Sequence, residues 1–171
     1  VKSLLVLRHA KSDWENPKLE DHDRPLSPRG ERAAVAMGRY IRQKSTVPDL
    51  ILCSTARRAT ETKALVAAQW AADPPTEYDR ALYLAGCAAL VERLARAPDR
   101  HARVMVVGHN PDLQLLLGTL GAASDPDLLA QIEAKFPTAA FAHLELPIDR
   151  WADLPGAVGR IIDYAIPKGL L

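Results

Sequence analysis

Three short apolar runs, each broken off by polar residues and followed by a helix-like pattern, constrain this chain more than any other feature. The first is Leu4–Leu7 in "LLVLRHAK", the second "LILCS" at 50–54, the third "VMVVGH" at 104–109. Apolar runs of this length, with no polar residue alternating through them, fit strands buried on both faces. After Cys53, "STARRATETKALVAAQW" is built of good helix formers, with Ser54 or Thr55 placed to cap it. After Val107, Asn110-Pro111 reads as an N-cap followed by a proline at the first helical position. "SPRGERAAVAMGRYIRQK" (27–44) and "LAGCAALVERLARA" (84–97) read as two more amphipathic helices. Strands alternating with helices predict a mainly parallel sheet covered on both faces, an α/β three-layer α/β/α sandwich. "TAAFAHLEL" (138–146) and "AVGRIIDYAI" (157–166) add two strands, read as an antiparallel hairpin at one sheet edge.

At 171 residues, with 48% apolar and 25% charged, the chain suits one domain, 1–171, with a substantial core. Twenty-two Lys and Arg against 21 Asp and Glu leave a formal charge of +1, so no bulk charge draws the chain to nucleic acid or to a membrane. Any anion site must be assembled locally. Cys53 and Cys87 stand alone without a CxxC, which argues against a disulfide framework or a zinc ribbon and suits a reducing cytoplasm. Leu4–Leu7 is too short for a signal-peptide core, and no apolar run approaches the ~20 residues of a membrane span.

Ligands of open parallel sheets gather at the carboxyl ends of the strands. There the first run delivers Arg8 and His9, the second Ser54 to Arg58, the third His109 and Asn110. Arg-His after a strand also occurs in solvated loops, and Gly-His-Asn-Pro can be a simple tight turn. Their coincidence at three equivalent strand ends is what points to a site. Arginines (Arg8 with Arg57 or Arg58) suit the oxygens of a phosphoryl group, and a histidine suits its transfer.

At this point the residues resemble a known family. Arg8-His9-Ala10 resembles the Arg-His-Gly signature of the histidine phosphatase superfamily, with Ala10 in place of glycine. Ser54 with Arg58-Ala59 and Thr62 is similar to its second arginine segment, and Val107-Gly108-His109-Asn110-Pro111 to its second histidine segment. "DRPLSPRGERAA" (23–34), "FPTAAFAHLEL" and "IPKGL" resemble the short SixA-type phosphohistidine phosphatases, whose fold is the phosphoglycerate mutase-like sandwich. The resemblance implies that His9 is a nucleophile that becomes phosphorylated, that Arg8 and Arg58 hold the phosphoryl oxygens, and that His109 bonds to the same group. Arg57 is set aside because the Arg-Ala-x-x-Thr spacing selects Arg58, and adjacent helical residues face about 100° apart.

Such chemistry requires His9 to be neutral at one nitrogen, and nearby arginines favour that state. It needs neither metal nor cofactor: Asp21-His22-Asp23 reads as a turn rather than a metal cluster. Ser12 and Asn110 are candidate extra donors to phosphate, Asn110 alternatively a helix cap, and Lys11 could steer an acidic partner. His101 and His143 read as solvated surface residues. Expelling an alkoxide needs a proton donor, whereas imidazole leaves readily. The interval from Thr62 to His109, read largely as two helices, has little room for a lid, and its candidate acids are Asp79 and Glu77, with Glu92 farther along. A shallow site of this kind suits phosphohistidine on a protein partner. The alternatives are a small phosphorylated substrate or a module that binds phosphate without catalysis.

Overall fold

The structure, a computed structural model, describes every residue from Val1 to Leu171. Six strands make one sheet: β1 (Lys2–Arg8), β2 (Leu50–Ser54), β3 (Thr76–Asp79), β4 (Arg103–Gly108), β5 (Phe141–Leu146) and β6 (Arg160–Ala165). Their spatial order is β3-β2-β4-β1-β5-β6. β3, β2, β4 and β1 run parallel, β5 runs against β1, and β6 runs against β5. The helices are α1 (Pro28–Gln43), α2 (Arg57–Ala67), α3 (Cys87–Ala95), α4 (Asp112–Leu120) and α5 (Pro126–Ala134). None is long and apolar enough to cross a membrane.

The uninterrupted apolar runs are explained by two cores, one on each face of the sheet. Leu4, Val6, Leu52, Val104 and Val106 pack with Leu94, Leu117 and Ile132 from α3, α4 and α5. Their neighbours Leu5, Leu7, Ile51, Cys53 and Val107 pack with Met37, Ile41 and Val66 from α1 and α2. Alternate residues of a strand point to opposite faces, so only a strand apolar at every position can serve both layers. Each such side chain contributes about 1.5–3 kcal/mol on burial.

Two elements depart from the expected pattern. The stretch before α3, read from the sequence only as a source of candidate acids, contains strand β3; it lies at the sheet edge, half-exposed, and holds on through backbone pairing with β2. Helix α5 carries Pro126 in its first turn and fully buries only Ile132, so its apolar stripe is faint in the sequence. The caps differ too. Ser54 and Thr55 do not cap α2, whose N-cap is Ala56, and Pro111 sits at the cap of α4, which starts at Asp112.

The start of α1 fits closely against the loop after β1. Ser27 Oγ accepts from the Gly30 N–H at 3.0 Å and donates to the Lys11 carbonyl at 3.1 Å. A Cβ on Gly30 would come within 2.1 Å of that same carbonyl, so glycine is what permits the approach.

Candidate active site

The central strands end level, with Arg8 opposite Gly108 and Cys53 opposite Val107. The residues that follow therefore emerge together at one sheet edge. His9, Arg58 and His109 are all buried there. The two imidazole centroids lie 5.1 Å apart, and Arg58 Nη2 is 3.4 Å from His109 Nδ1. Arg8, His9, Arg58 and His109 all line one cleft of about 580 Å³, along with Ser12 and Asn110.

His9 is held from several directions. Its N–H donates to Gly108 at 3.1 Å, and its carbonyl accepts from Ala139 at 2.9 Å. Its Nδ1 lies 2.7 Å from the Ala10 carbonyl. A carbonyl can only accept, so Nδ1 carries the proton and the lone pair remains on Nε2. Ala10 in turn donates its N–H to Thr62 Oγ1 at 2.9 Å, while that hydroxyl donates to the Arg58 carbonyl at 2.6 Å. The Arg-Ala-x-x-Thr spacing thus has a mechanical meaning: one turn of α2 carries both the buried Arg58 and the anchor of the histidine loop. Ala10 is not at positive φ, so its methyl is tolerated where glycine is more familiar.

Burial pushes the His9 imidazole down to about 3; the Ala10 carbonyl works the other way, and Arg58, Arg8 and Arg24 lower it further. The arginines credited from the sequence are thus the smaller cause. His109 is also pushed to about 3, by burial first and then by His9 and Arg58. Its Nε2 lies 2.7 Å from Ser54 Oγ, which also accepts from the Ala56 N–H at 3.2 Å. With Arg58 donating toward Nδ1, the proton of neutral His109 sits on Nε2.

Arg58 donates to the Asp21 carbonyl at 2.7 Å and to Asp21 Oδ2 at 3.0 Å, whereas Arg57 is exposed and pairs with Glu61 at 3.1 Å. Arg8 donates from Nη1 to the Phe136 carbonyl at 3.1 Å, and its Nε is buried without a protein acceptor. Two charged residues of the cleft, Arg24 and Asp21, had no role at the site in the sequence reading. Arg24 is buried, donates to Ser12 Oγ at 2.6 Å and to Asp21 Oδ1 at 2.7 Å, and lies 3.3 Å from the centre of the Trp14 ring. Asp21 bridges Arg24 and Arg58 and accepts from the Tyr83 hydroxyl. Burial disfavours its charge, but Tyr83 and the two guanidiniums outweigh that and hold its carboxyl well below the usual carboxylate range. "DHDRP" carried the signal, since an Arg three residues after an Asp can pair with it.

The remaining candidates divide. Ser12 faces the cleft beneath Arg24, with its own hydroxyl hydrogen left to donate. Asn110 does not cap α4; its amide donates to the Phe136 carbonyl at 2.8 Å, pinning the segment that Arg8 also holds. Asp79 and Glu77 are not in the cleft. Both pair with Arg93, at 2.7 and 3.2 Å, and the Ala81 N–H and then Arg93 hold the Asp79 carboxyl below its usual range. Glu92 is exposed on α3. Asp21-His22-Asp23 forms a 3-10 turn in which His22 Nε2 meets Thr55 Oγ1 at 2.8 Å. His143 is buried rather than solvated, because β5 lies between β1 and β6 and Tyr40 of α1 reaches Asp163 opposite it.

Fold and cleft together define a protein of the histidine phosphatase class, and comparison with known proteins agrees. The sequence profile of the histidine phosphatase superfamily (branch 1) matches residues 4–83. An uncharacterised Mycobacterium tuberculosis protein, Rv1276c, is 35% identical over 95% of this chain and 100% of its own length. A structure provisionally described as phosphohistidine phosphatase SixA from Nakamurella multipartitia superposes with a TM-score of 0.85 at 29% identity, covering 97% of this chain and 96% of that one. Another so described, from Agrobacterium tumefaciens, gives 0.81 at 29% identity, covering 97% and 98%. The chain belongs to the histidine phosphatase superfamily, and within it to the SixA type.

Proposed function

We propose that this chain is a phosphatase that hydrolyses phosphohistidine on a partner protein, through a phosphorylated His9 and without a metal. The observation that carries this reading is the state of His9. It is a neutral imidazole whose Nδ1 proton is tied to Ala10, leaving the Nε2 lone pair, in a cleft shared with Arg8 and Arg58. As Nε2 bonds to phosphorus, the bond from phosphorus to the substrate imidazole breaks; that ring has already taken a proton from water at its other nitrogen, so it departs as neutral imidazole. The guanidiniums of Arg8 and Arg58 balance the charge spread over the equatorial oxygens. His109 becomes a donor by changing tautomer: the Ser54 hydroxyl donates to Nε2, and Nδ1–H turns to a phosphoryl oxygen. The Ser12 hydroxyl and the second amide hydrogen of Asn110 are further donors. Water then attacks phosphorus, the P–N bond to His9 breaks, and phosphate leaves with the imidazole again neutral.

The choice of substrate rests on the acid. Asp21 is the one carboxylate lining the cleft, and it is held ionised by arginines. It is a poor proton donor for an alkoxide, while a departing imidazole makes no such demand. The free thiols of Cys53 and Cys87 fit a reducing cytoplasmic setting. The test compares turnover of phosphohistidine with that of a sugar phosphate. Preference for phosphohistidine is expected; preference for the ester would assign a small-molecule phosphomonoesterase, and phosphate binding without turnover would make the chain a binding module.

A further inference from the structure

A second depression adjoins the cleft and shares Lys11 and Thr138 with it. It is a groove of about 880 Å³, larger than the cleft, bounded by the first turn of α1, the C-terminal end of α5 and the segment after β6. Lys11, Arg29, Lys135 and Lys168 line it; all are exposed, and none takes part in an ion pair. No lining residue is acidic. The floor between these cations is partly apolar, with half-buried Tyr164 and Ile166. In a chain of net charge +1, this is a local segregation of charge beside the site.

We propose that this groove docks an acidic, amphipathic segment of the phosphohistidine-bearing partner protein. The proposal rests on the phosphohistidine reading and adds the surface that selects the partner. Phosphohistidine on a protein arrives with its neighbouring residues, which must land on the rim of the cleft. The groove begins at that rim and offers what such a segment needs: unpaired cations for its carboxylates and an apolar floor for its aliphatic side chains. Opposite charge across such a surface speeds encounter and rejects basic partners. Free phosphohistidine reaches only the cleft and should be indifferent to the groove.

The test uses two synthetic peptides with one histidine each, one rich in glutamate and leucine, the other with glutamine in place of glutamate. Binding of the unphosphorylated peptides is followed by fluorescence anisotropy, and turnover is measured after phosphorylation with phosphoramidate. The wild-type chain should bind and turn over the acidic peptide better by about tenfold or more, with the preference shrinking in high salt. Arg29→Glu/Lys135→Glu/Lys168→Glu should abolish the preference while turnover of free phosphohistidine stays unchanged. The corresponding triple Gln variant should lose part of it. Equal binding of both peptides, or a preference that survives the Glu variant, would overturn the proposal. So would binding of inorganic tripolyphosphate, but not of the peptide, that the variant loses, because the groove would then serve small polyanions. No turnover of free phosphohistidine by the wild type would overturn the underlying function, a failure separable from the peptide-binding result.

Discussion

Replacing Thr62 by valine tests how the site is held together without touching any group that would meet substrate. Thr62 is fully buried, and valine has nearly its shape, so packing is preserved and only the hydroxyl is lost. Its removal leaves the Ala10 N–H without its acceptor and the Arg58 carbonyl without a second donor. A stranded buried donor costs about 1–3 kcal/mol, and one lost hydrogen bond about 0.5–1.5 kcal/mol, so Thr62→Val should destabilise the fold by roughly 2–4 kcal/mol. At about 2–4 °C per kcal/mol for a chain of this size, the melting temperature should fall by roughly 4–16 °C. Because the Ala10 carbonyl orients His9, kcat should fall by roughly 10- to 100-fold with KM little changed. Urea unfolding and steady-state turnover measure both, and Thr62→Ser, which restores the hydroxyl, should recover most of each. A Thr62→Val protein as stable and as active as the wild type would refute the anchoring role.

Arg58→Ala should lower kcat by about 10²- to 10³-fold, as for loss of a transition-state donor, while Arg57→Ala leaves turnover near wild type; equal effects would mean the wrong arginine has been assigned. Asp21→Asn removes the carboxylate that engages Arg24 and Arg58, so inhibition by vanadate or phosphate should tighten severalfold; weaker inhibition would show that Asp21 positions the arginines instead of competing for them. Because His9 and His109 stay neutral in the fold down to about pH 3, the unfolded chain, with ordinary values near 6.5, binds more protons between those limits. Stability to urea should therefore fall as pH drops from 6.5 toward 3, and the His9→Asn/His109→Asn pair should flatten that slope. A slope unchanged by the double substitution would mean that other groups carry it.

The fold was legible where the chain is apolar without interruption. The runs at β1, β2 and β4 must be strands covered on two faces, and strand ends in a parallel sheet then bring Arg8, Ser54 and His109 to one edge. β3 was not legible, since "TEYD" at an edge needs only backbone partners and leaves its side chains free to be polar. His143 was misjudged for the complementary reason: sharing a strand face with Glu145 suggested a wet face, but neighbours on both sides and α1 above close it off. Within the cleft, motif residues could be named, but their wiring could not. That Asp21 spans Arg24 and Arg58, or that Ala10 offers its carbonyl to His9 and its N–H to Thr62, depends on contacts between segments far apart in the chain. Asp79 illustrates the limit most plainly. Its position in sequence fits an acid beside the cleft, yet Arg93 from the next helix takes its carboxylate.

Rapid quench of the enzyme during turnover of a radiolabelled phosphoryl donor, followed by peptide mapping, shows which residue carries the phosphoryl group. An acid-labile, base-stable phosphoryl group on His9 is expected, formed and lost at rates that match turnover and absent from His9→Ala. A label on any other residue, or turnover by His9→Ala at the wild-type rate, would contradict it.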